Sequence, residues 1–361
     1  MLAILLGLTN AQACIWDRDT LATEMKGLPD VERVIYGDFE RYPDAYYAMR
    51  LERVTAALAQ TPDDLALYDD AGAAADRLGR SDEAVAFMER KRAVLDALAD
   101  TAPHEHRYRM HANLGTFLVH RWIRAGAPRD AMADLDAAIG HIEQALVLDP
   151  EAHFGRERVQ LALMKWVRDA GPFTYELDTF LERRGFKVDD DDSQDATLEG
   201  LRGLVVLGAA WESVDTYYAL RRALQLEGRN HAAALAGLRA RELALAGRPS
   251  LQPGAPTGAK LAELVSGFDA VSDEAAIERA YAAGRELAEA RATERRQAME
   301  ARLAAGLHPD THPDFWTAEL PAELPVPETL PSTREGGWCG CSAGSTSPGT
   351  TFFPPGWARR R

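Results

Sequence analysis

The chain has 361 residues, of which 46% are hydrophobic and 27% are charged, and its formal net charge is -15. This length predicts about two domains or one elongated array, and the apolar content is too high for a wholly disordered protein. Three cysteines are too few for a disulfide-dense miniprotein, and the acidic charge argues against nucleic acid as the main partner.

The first residues have the layout of a secretory signal peptide. Residues 1–8 form an apolar run, and Ala11-Gln12-Ala13 supplies an A-x-A cleavage pattern, so residues 1–13 are expected to be removed on export. We therefore expect a periplasmic or secreted protein. No Lys or Arg precedes the run, which leaves a first buried helix, and a cytoplasmic protein, as the alternative. No apolar run reaches roughly 18 residues, so no transmembrane helix is expected.

The three cysteines lie near the two ends of the sequence. Cys14 follows the expected cleavage site, where a bacterial lipoprotein carries its acylated cysteine, so a lipid anchor at Cys14 is an alternative to simple secretion. Cys339 and Cys341 form a C-G-C, and a disulfide from Cys14 to one of them would tie the two ends together. A metal site at the C-G-C is the least expected alternative, because a zinc site needs about four ligands. Free thiols in a flexible tail are the simplest interpretation. No cofactor is expected.

Residues 65–98 carry the pattern of a helical hairpin. The motif Tyr68-x-x-Ala71-Gly72-x-x-Ala75 is followed by Leu78-Gly79 and then by Ala84-x-x-x-Met88. Large residues at this spacing build one face of a first helix, and the small residues let a second helix approach closely. Gly79 predicts the tight turn between them.

A second unit repeats this order. It opens with His111-x-x-Leu114-Gly115-x-x-Leu118 and closes with Ala138-x-x-x-Ile142 and Leu148-Asp149-Pro150. Pro62 occupies the same closing place in an earlier half-repeat, because proline ends one helix and favours the start of the next. Residues 153–167 have the pattern of the first helix of a third unit, and a weaker unit follows around residues 220–233.

These motifs resemble the tetratricopeptide repeat. The stretches CIWDRDTL, HANLGTF and DPEAHFGRE also resemble a group of uncharacterised exported bacterial tetratricopeptide proteins. The resemblance implies an all-α, tetratricopeptide-like solenoid of helical hairpins over residues 46–248, and residues 14–45 are expected to form a separate region before it. A generic helical bundle is the alternative, and the resemblance implies no particular activity.

The last third of the chain changes character twice. Residues 249–307 read as a linker and a long charged helix that starts near residue 272 and caps the array through Ile277, Tyr281 and Leu287. Residues 308–361 are rich in Pro, Gly and Ser and are expected to form a flexible or extended tail. The acidic run KVDDDDSQD, residues 187–195, is expected to be a solvated loop that caps the next helix.

No catalytic motif stands out, and we expect no enzyme activity. The sequence has no nucleophile elbow, phosphate loop or H-E-x-x-H. Four histidines cluster, but the first two are expected in a loop and the last two on different helix faces: His104, His106, His111 and His120. The aspartates of the first repeat helix are expected on a solvated face: Asp69, Asp70 and Asp76.

Binding is the function that this architecture favours, because tetratricopeptide arrays hold extended peptides in a groove lined by their first helices. The groove residues expected from the repeat positions are Asp69, Asp76, Arg109, Asn113, Thr116, Glu157 and Arg158. We therefore expect a scaffold or a peptide- or protein-binding module of the bacterial envelope. The alternative is an accessory subunit of an envelope enzyme, or an enzyme whose site lies outside the repeats.

Overall fold

The computed structural model describes residues 15–150, 156–169, 191–208, 210–268 and 271–316, and within these ranges every regular element is helical. The all-α prediction is confirmed. The α-helices are α1 (Arg18–Lys26), α2 (Val31–Tyr36), α3 (Asp44–Gln60), α4 (Leu65–Arg77), α5 (Ser81–Leu98), α6 (His104–Arg124), α7 (Ala133–Leu148), α8 (Arg156–Arg168), α9 (Asp191–Val206), α10 (Val214–Leu226), α11 (Asn230–Leu245), α12 (Ala259–Val265) and α13 (Glu274–Ala304).

Consecutive helices pack against each other from α3 to α12. The turn between α4 and α5 has Gly79 at φ +75°. Its backbone closes α4, because the Gly79 N–H donates to the Asp76 carbonyl and the Arg80 N–H donates to the Ala75 carbonyl, both at 2.9 Å. The turn that the sequence predicts at Gly79 is confirmed.

The long helix α13 closes the array. It packs on α11, on α2 and on α3, so it connects the late helices with the early ones. Its bounds, Glu274–Ala304, agree with the charged helix predicted from residue 272 to about residue 305. Ile277 is buried as expected, whereas Tyr281 and Leu287 are only half-buried.

Two segments differ from their predictions. Residues 191–195 of the acidic run belong to helix α9 rather than to a loop, and residues 187–190 lie outside the described residues. Residues 308–316, expected to belong to the tail, fold onto α3 instead. Phe315 packs in a buried cluster with Tyr46, and the His308 ring stacks on the Tyr46 ring at 4.6 Å. Proline content predicts irregular backbone, but it does not exclude docking by the apolar side chains nearby.

Close packing of α6 against α7 depends on Gly115. A Cβ at this position would lie 2.8 Å from Ile142 Cδ1 and 3.0 Å from the Ala138 carbonyl oxygen. We expect Gly115→Ala to lower the free energy of unfolding by about 1–3 kcal/mol, measured by urea denaturation. Gly140→Ala is the matched control, because its Cβ would meet nothing within 4 Å and should stabilise α7 by about 0.5–1 kcal/mol. Equal effects of the two substitutions would contradict this packing.

Candidate functional site

Helices α4, α6 and α8 are joined by buried polar contacts, and we call the surface that they form the α4–α6–α8 face. Asp76 of α4 lies 2.7 Å from the His120 ring of α6. Thr116 of α6 accepts a hydrogen bond of 3.2 Å from Gln160 of α8. These are the helices whose residues the repeat pattern assigns to a peptide groove.

The structure places most of the predicted groove residues inside the protein. The buried ones are Asp69, Asp76, Asn113, Thr116 and Glu157. Arg109 is half-buried and Arg158 is exposed.

The expectation that the α4 aspartates face solvent is wrong: Asp69, Asp70 and Asp76 are all at most 3% exposed. A buried carboxylate needs cationic or hydrogen-bonding partners, and the sequence did not show that distant segments supply them. Lys91 faces Asp69, and Arg18 faces Asp70.

Asp69 sets the orientation of the Asn113 amide. Lys91 Nζ lies 2.6 Å from both carboxylate oxygens of Asp69. Burial alone would raise the pKa of Asp69, but the Lys91 ammonium outweighs it and holds this pKa below its ordinary value. The Asp69 carboxylate accepts from Asn113 Nδ2 at 3.1 Å. Because a carboxylate can only accept, the amide nitrogen must point toward Asp69, which directs Asn113 Oδ1 the other way.

Asp76 is the second buried carboxylate of α4. Arg124 Nη1 donates to Asp76 Oδ1 at 2.6 Å, and the His120 ring lies beside the other oxygen. Burial opposes ionisation of Asp76, yet His120 and Arg124 together hold its pKa well below the ordinary range. These contacts connect α4 to α6, so Asp76 stabilises the face rather than lining an open groove.

The α4–α6–α8 face holds a segment of the same chain, which the sequence did not predict. The Trp16 backbone N–H donates to Asn113 Oδ1 at 2.6 Å, and Asn113 Nδ2 donates to the Trp16 carbonyl oxygen at 3.0 Å. One side-chain amide therefore pairs with both polar backbone groups of a residue that lies outside any helix. We call residues 15–26 the N-terminal segment; the motif CIWDRDTL covers its start.

The Trp16 side chain fills a pocket between α6 and α7. The indole packs with Tyr108, Ala112 and Ala145. Its ring lies edge-on to the Tyr108 ring, with centroids 5.5 Å apart. The Arg109 guanidinium carbon lies 5.4 Å from the indole centroid, within the range of a cation–π contact. Arg109, predicted as a groove residue, thus contacts the bound segment.

Charged side chains hold the rest of the segment. The backbone N–H of Arg18 donates to Asp70 Oδ1 at 3.2 Å, and its guanidinium pairs with the same carboxylate. Asp17 caps α1 by accepting from the Thr20 N–H at 2.9 Å. Asp19 pairs with buried Arg50 at 2.6 Å.

Arg50 also holds the end of the described chain. Arg50 Nη2 lies 2.8 Å from Asp310 Oδ1, and Arg53 pairs with the same carboxylate. Arg50 is 1% exposed, so it connects the N-terminal segment to residues 308–316 through an interior charge cluster.

A cleft of about 680 Å³ opens beside the N-terminal segment. Asp17, Thr20 and Thr23 of the segment contribute to its wall, and Tyr42 and Trp211 are among the residues opposite. The segment therefore contacts the α4–α6–α8 face and also borders an open cleft.

The histidine cluster is dispersed rather than gathered. His104 and His106 belong to α6 and not to a loop, because the helix begins directly after Pro103. His111 Nδ1 lies 2.9 Å from His141 Nδ1 of α7, so one ring donates and the other accepts. His111 is therefore a packed, hydrogen-bonded imidazole.

Low pH should destabilise the fold through the His111 and His141 rings. Burial and the neighbouring His141 lower the pKa of His111 to about 4 from an ordinary value of 6.5. The unfolded chain therefore binds protons more readily between these pH values, and stability falls as the pH falls through that window. The slope is at most about 1.4 kcal/mol per pH unit for one histidine, and solvent near this ring reduces it.

We expect His111→Gln to flatten the dependence of the urea midpoint on pH between pH 6.5 and 4. Wild type and variant would be compared by urea unfolding at several pH values. The same slope in both proteins would contradict a role for this pair.

The part of the chain that the structure describes contains no group of three or more side chains arranged to hold a metal ion. It also contains no helix that is long and apolar enough to cross a membrane. Cys14, Cys339, Cys341 and the expected signal peptide lie outside the described residues.

Comparison with protein-family models, with curated proteins and with solved structures finds no match for this chain. Its function must therefore be argued from the α4–α6–α8 face and from the segment that this face holds.

Proposed function

We propose that this protein is a non-catalytic, tetratricopeptide-type scaffold that binds a segment of a partner protein along the α4–α6–α8 face. Three features support the repeat assignment: consecutive helices pack in order, α4 also contacts α6 directly, and glycine closes the helix before each of two hairpin turns, at Gly79 and Gly228.

The observation that carries the proposal is the double hydrogen bond between the Asn113 amide and the backbone of Trp16. Every non-proline residue offers one backbone N–H and one C=O, so this mode of capture does not depend on a particular side chain. A face that holds one stretch of irregular chain in this way has the groups needed to hold another.

The buried acids of α4 support binding rather than catalysis. Asp69 and Asp76 are occupied by Lys91, His120 and Arg124, which keeps both carboxylates ionised within the fold. Their contacts fix the positions of α4 and α6, and through Asp69 they fix the Asn113 amide.

The proposed compartment is the bacterial envelope, with export through residues 1–13 and either a free or an acylated Cys14. This part of the proposal rests on the sequence pattern. Mass spectrometry of the mature N-terminus tests it: cleavage before Cys14, with or without an acyl group, is expected, and a protein that retains Met1 would rule it out.

Panning a library of displayed peptides against the full chain tests the binding function. We expect enriched peptides whose affinity falls about tenfold or more in Asn113→Ala. Arg158→Ala tests the exposed residue of α8, and Arg92→Ala on α5 is the control, because it lies outside the face. Peptides that bind all three variants as they bind wild type would contradict a binding site on the α4–α6–α8 face.

A further inference from the structure

The N-terminal segment has the features of a ligand that is tethered to its own binding site. We infer that it occupies the α4–α6–α8 face in place of a partner segment, and that this partner carries the same chemistry: an aromatic residue, then an acid that caps a helix, then arginine and a second acid. This inference rests on the proposed function and names the partner's chemistry.

The aromatic position is defined by a pocket of fitting size. Trp16 is 3% exposed, and Tyr108, Ala112 and Ala145 surround it. The small alanine side chains leave room for a large ring, while the edge of Tyr108 and the Arg109 guanidinium favour an aromatic ring over an aliphatic chain.

The arginine and acid positions are defined by fixed charges of the array. Asp70 binds both the backbone N–H and the guanidinium of Arg18, so it selects a cation at this place. Arg50 binds Asp19 and selects an acid one residue later. Asp17, between the aromatic residue and the arginine, caps the helix that follows.

The buried contacts that hold the segment are concentrated near its start. Ile15, Trp16, Asp17 and Thr20 are buried, whereas Ala22 and Lys26 farther along are exposed. Displacement of the segment therefore depends mainly on the release of its first residues, several of which border the adjacent cleft.

Two of the groups that bind the segment, Asn113 and Arg50, also have partners outside it. Asp69 is held by Lys91 from α5, and it continues to orient Asn113. Arg50 retains Asp310. These two groups are therefore preorganised for a second chain that offers the same chemistry.

The first test measures binding of a synthetic peptide, acetylated and amidated, with the sequence of residues 15–26. We expect it to bind the full-length double variant Trp16→Ala/Arg18→Ala about tenfold or more tightly than wild type, by isothermal titration calorimetry. The same peptide with an N-methylated tryptophan, or with glutamate in place of its arginine, should lose about tenfold or more. These peptide changes leave the protein untouched. A folded double variant that binds no better than wild type, or that does not distinguish the peptides, would overturn the inference.

A second measurement covers the case in which the double variant does not fold. Wild-type protein labelled with 5-fluorotryptophan gives a ¹⁹F resonance for Trp16, assigned with Trp16→Phe. We expect excess peptide to move this resonance to the position of a solvent-exposed tryptophan, and an unmoved resonance overturns the inference. If library peptides of other sequence still bind through Asn113, the proposed function stands without the inference. If no peptide binds through Asn113, both fail.

Discussion

Replacing Arg50 by methionine is expected to lower the free energy of unfolding by about 3–5 kcal/mol, because it removes the cation that pairs with Asp19 and one of the cations that pair with buried Asp310. Arg50 lies 2.6 Å from Asp19 and 2.8 Å from Asp310. Asp310 has a side chain only 2% exposed, so water cannot replace the guanidinium. Burial already raises the pKa of Asp19, which shows how unfavourable an unpaired charge would be there. Urea denaturation of wild type and variant measures the loss.

The Arg50→Met substitution should first destabilise the parts of the structure that Arg50 contacts. Because Arg50 connects the N-terminal segment to residues 308–316, hydrogen exchange should accelerate in both segments together, while the α6–α7 hairpin stays protected. Arg92→Met is the matched control, because Arg92 is 47% exposed and its pair with Glu89 contributes about 0.5 kcal/mol or less. If Arg50→Met lowered the free energy of unfolding by no more than Arg92→Met does, the interior charge cluster would have no structural role.

The second large effect is expected at Lys91. Lys91 Nζ lies 2.6 Å from each oxygen of Asp69, and both side chains are buried. Lys91→Met alone should lower the free energy of unfolding by about 3–5 kcal/mol, because the Asp69 carboxylate remains without its ammonium partner. Urea denaturation again provides the measurement.

Adding Asp69→Asn to Lys91→Met removes that stranded charge and should restore roughly 2 kcal/mol of the loss. The neutral amide can keep an oxygen toward Asn113. A double variant whose loss equals the sum of the two single losses would show that Asp69 and Lys91 do not act as a pair.

Much of the helical order could be predicted from the sequence, because it depends on local signals. Gly79 ends α4 as its position after Leu78 suggests, and α13 follows its charge pattern to within two residues at its start. Beyond residue 308, local composition does not predict the structure. Phe315 packs there because α3 and α13 offer an apolar surface.

The role of the candidate site could not be predicted from local patterns. The repeat pattern assigns Asp69 and Asn113 to a peptide groove, whereas both are buried and their partners come from other parts of the chain. Lys91 is 22 residues from Asp69, and Trp16 is 97 residues from Asn113. The signal in the sequence is Trp16, the aromatic residue of CIWDRDTL.

The N-terminal segment lies on the α4–α6–α8 face and is held there by Asn113. Residue-resolved hydrogen exchange of the Trp16 and Arg18 amides tests this placement most directly, because both N–H groups donate to side chains of the face. We expect exchange to be slower than in the isolated peptide by about tenfold or more, and to approach the peptide rate at Trp16 in Asn113→Ala. Exchange of both amides at the rate of the free peptide in wild type would contradict the account.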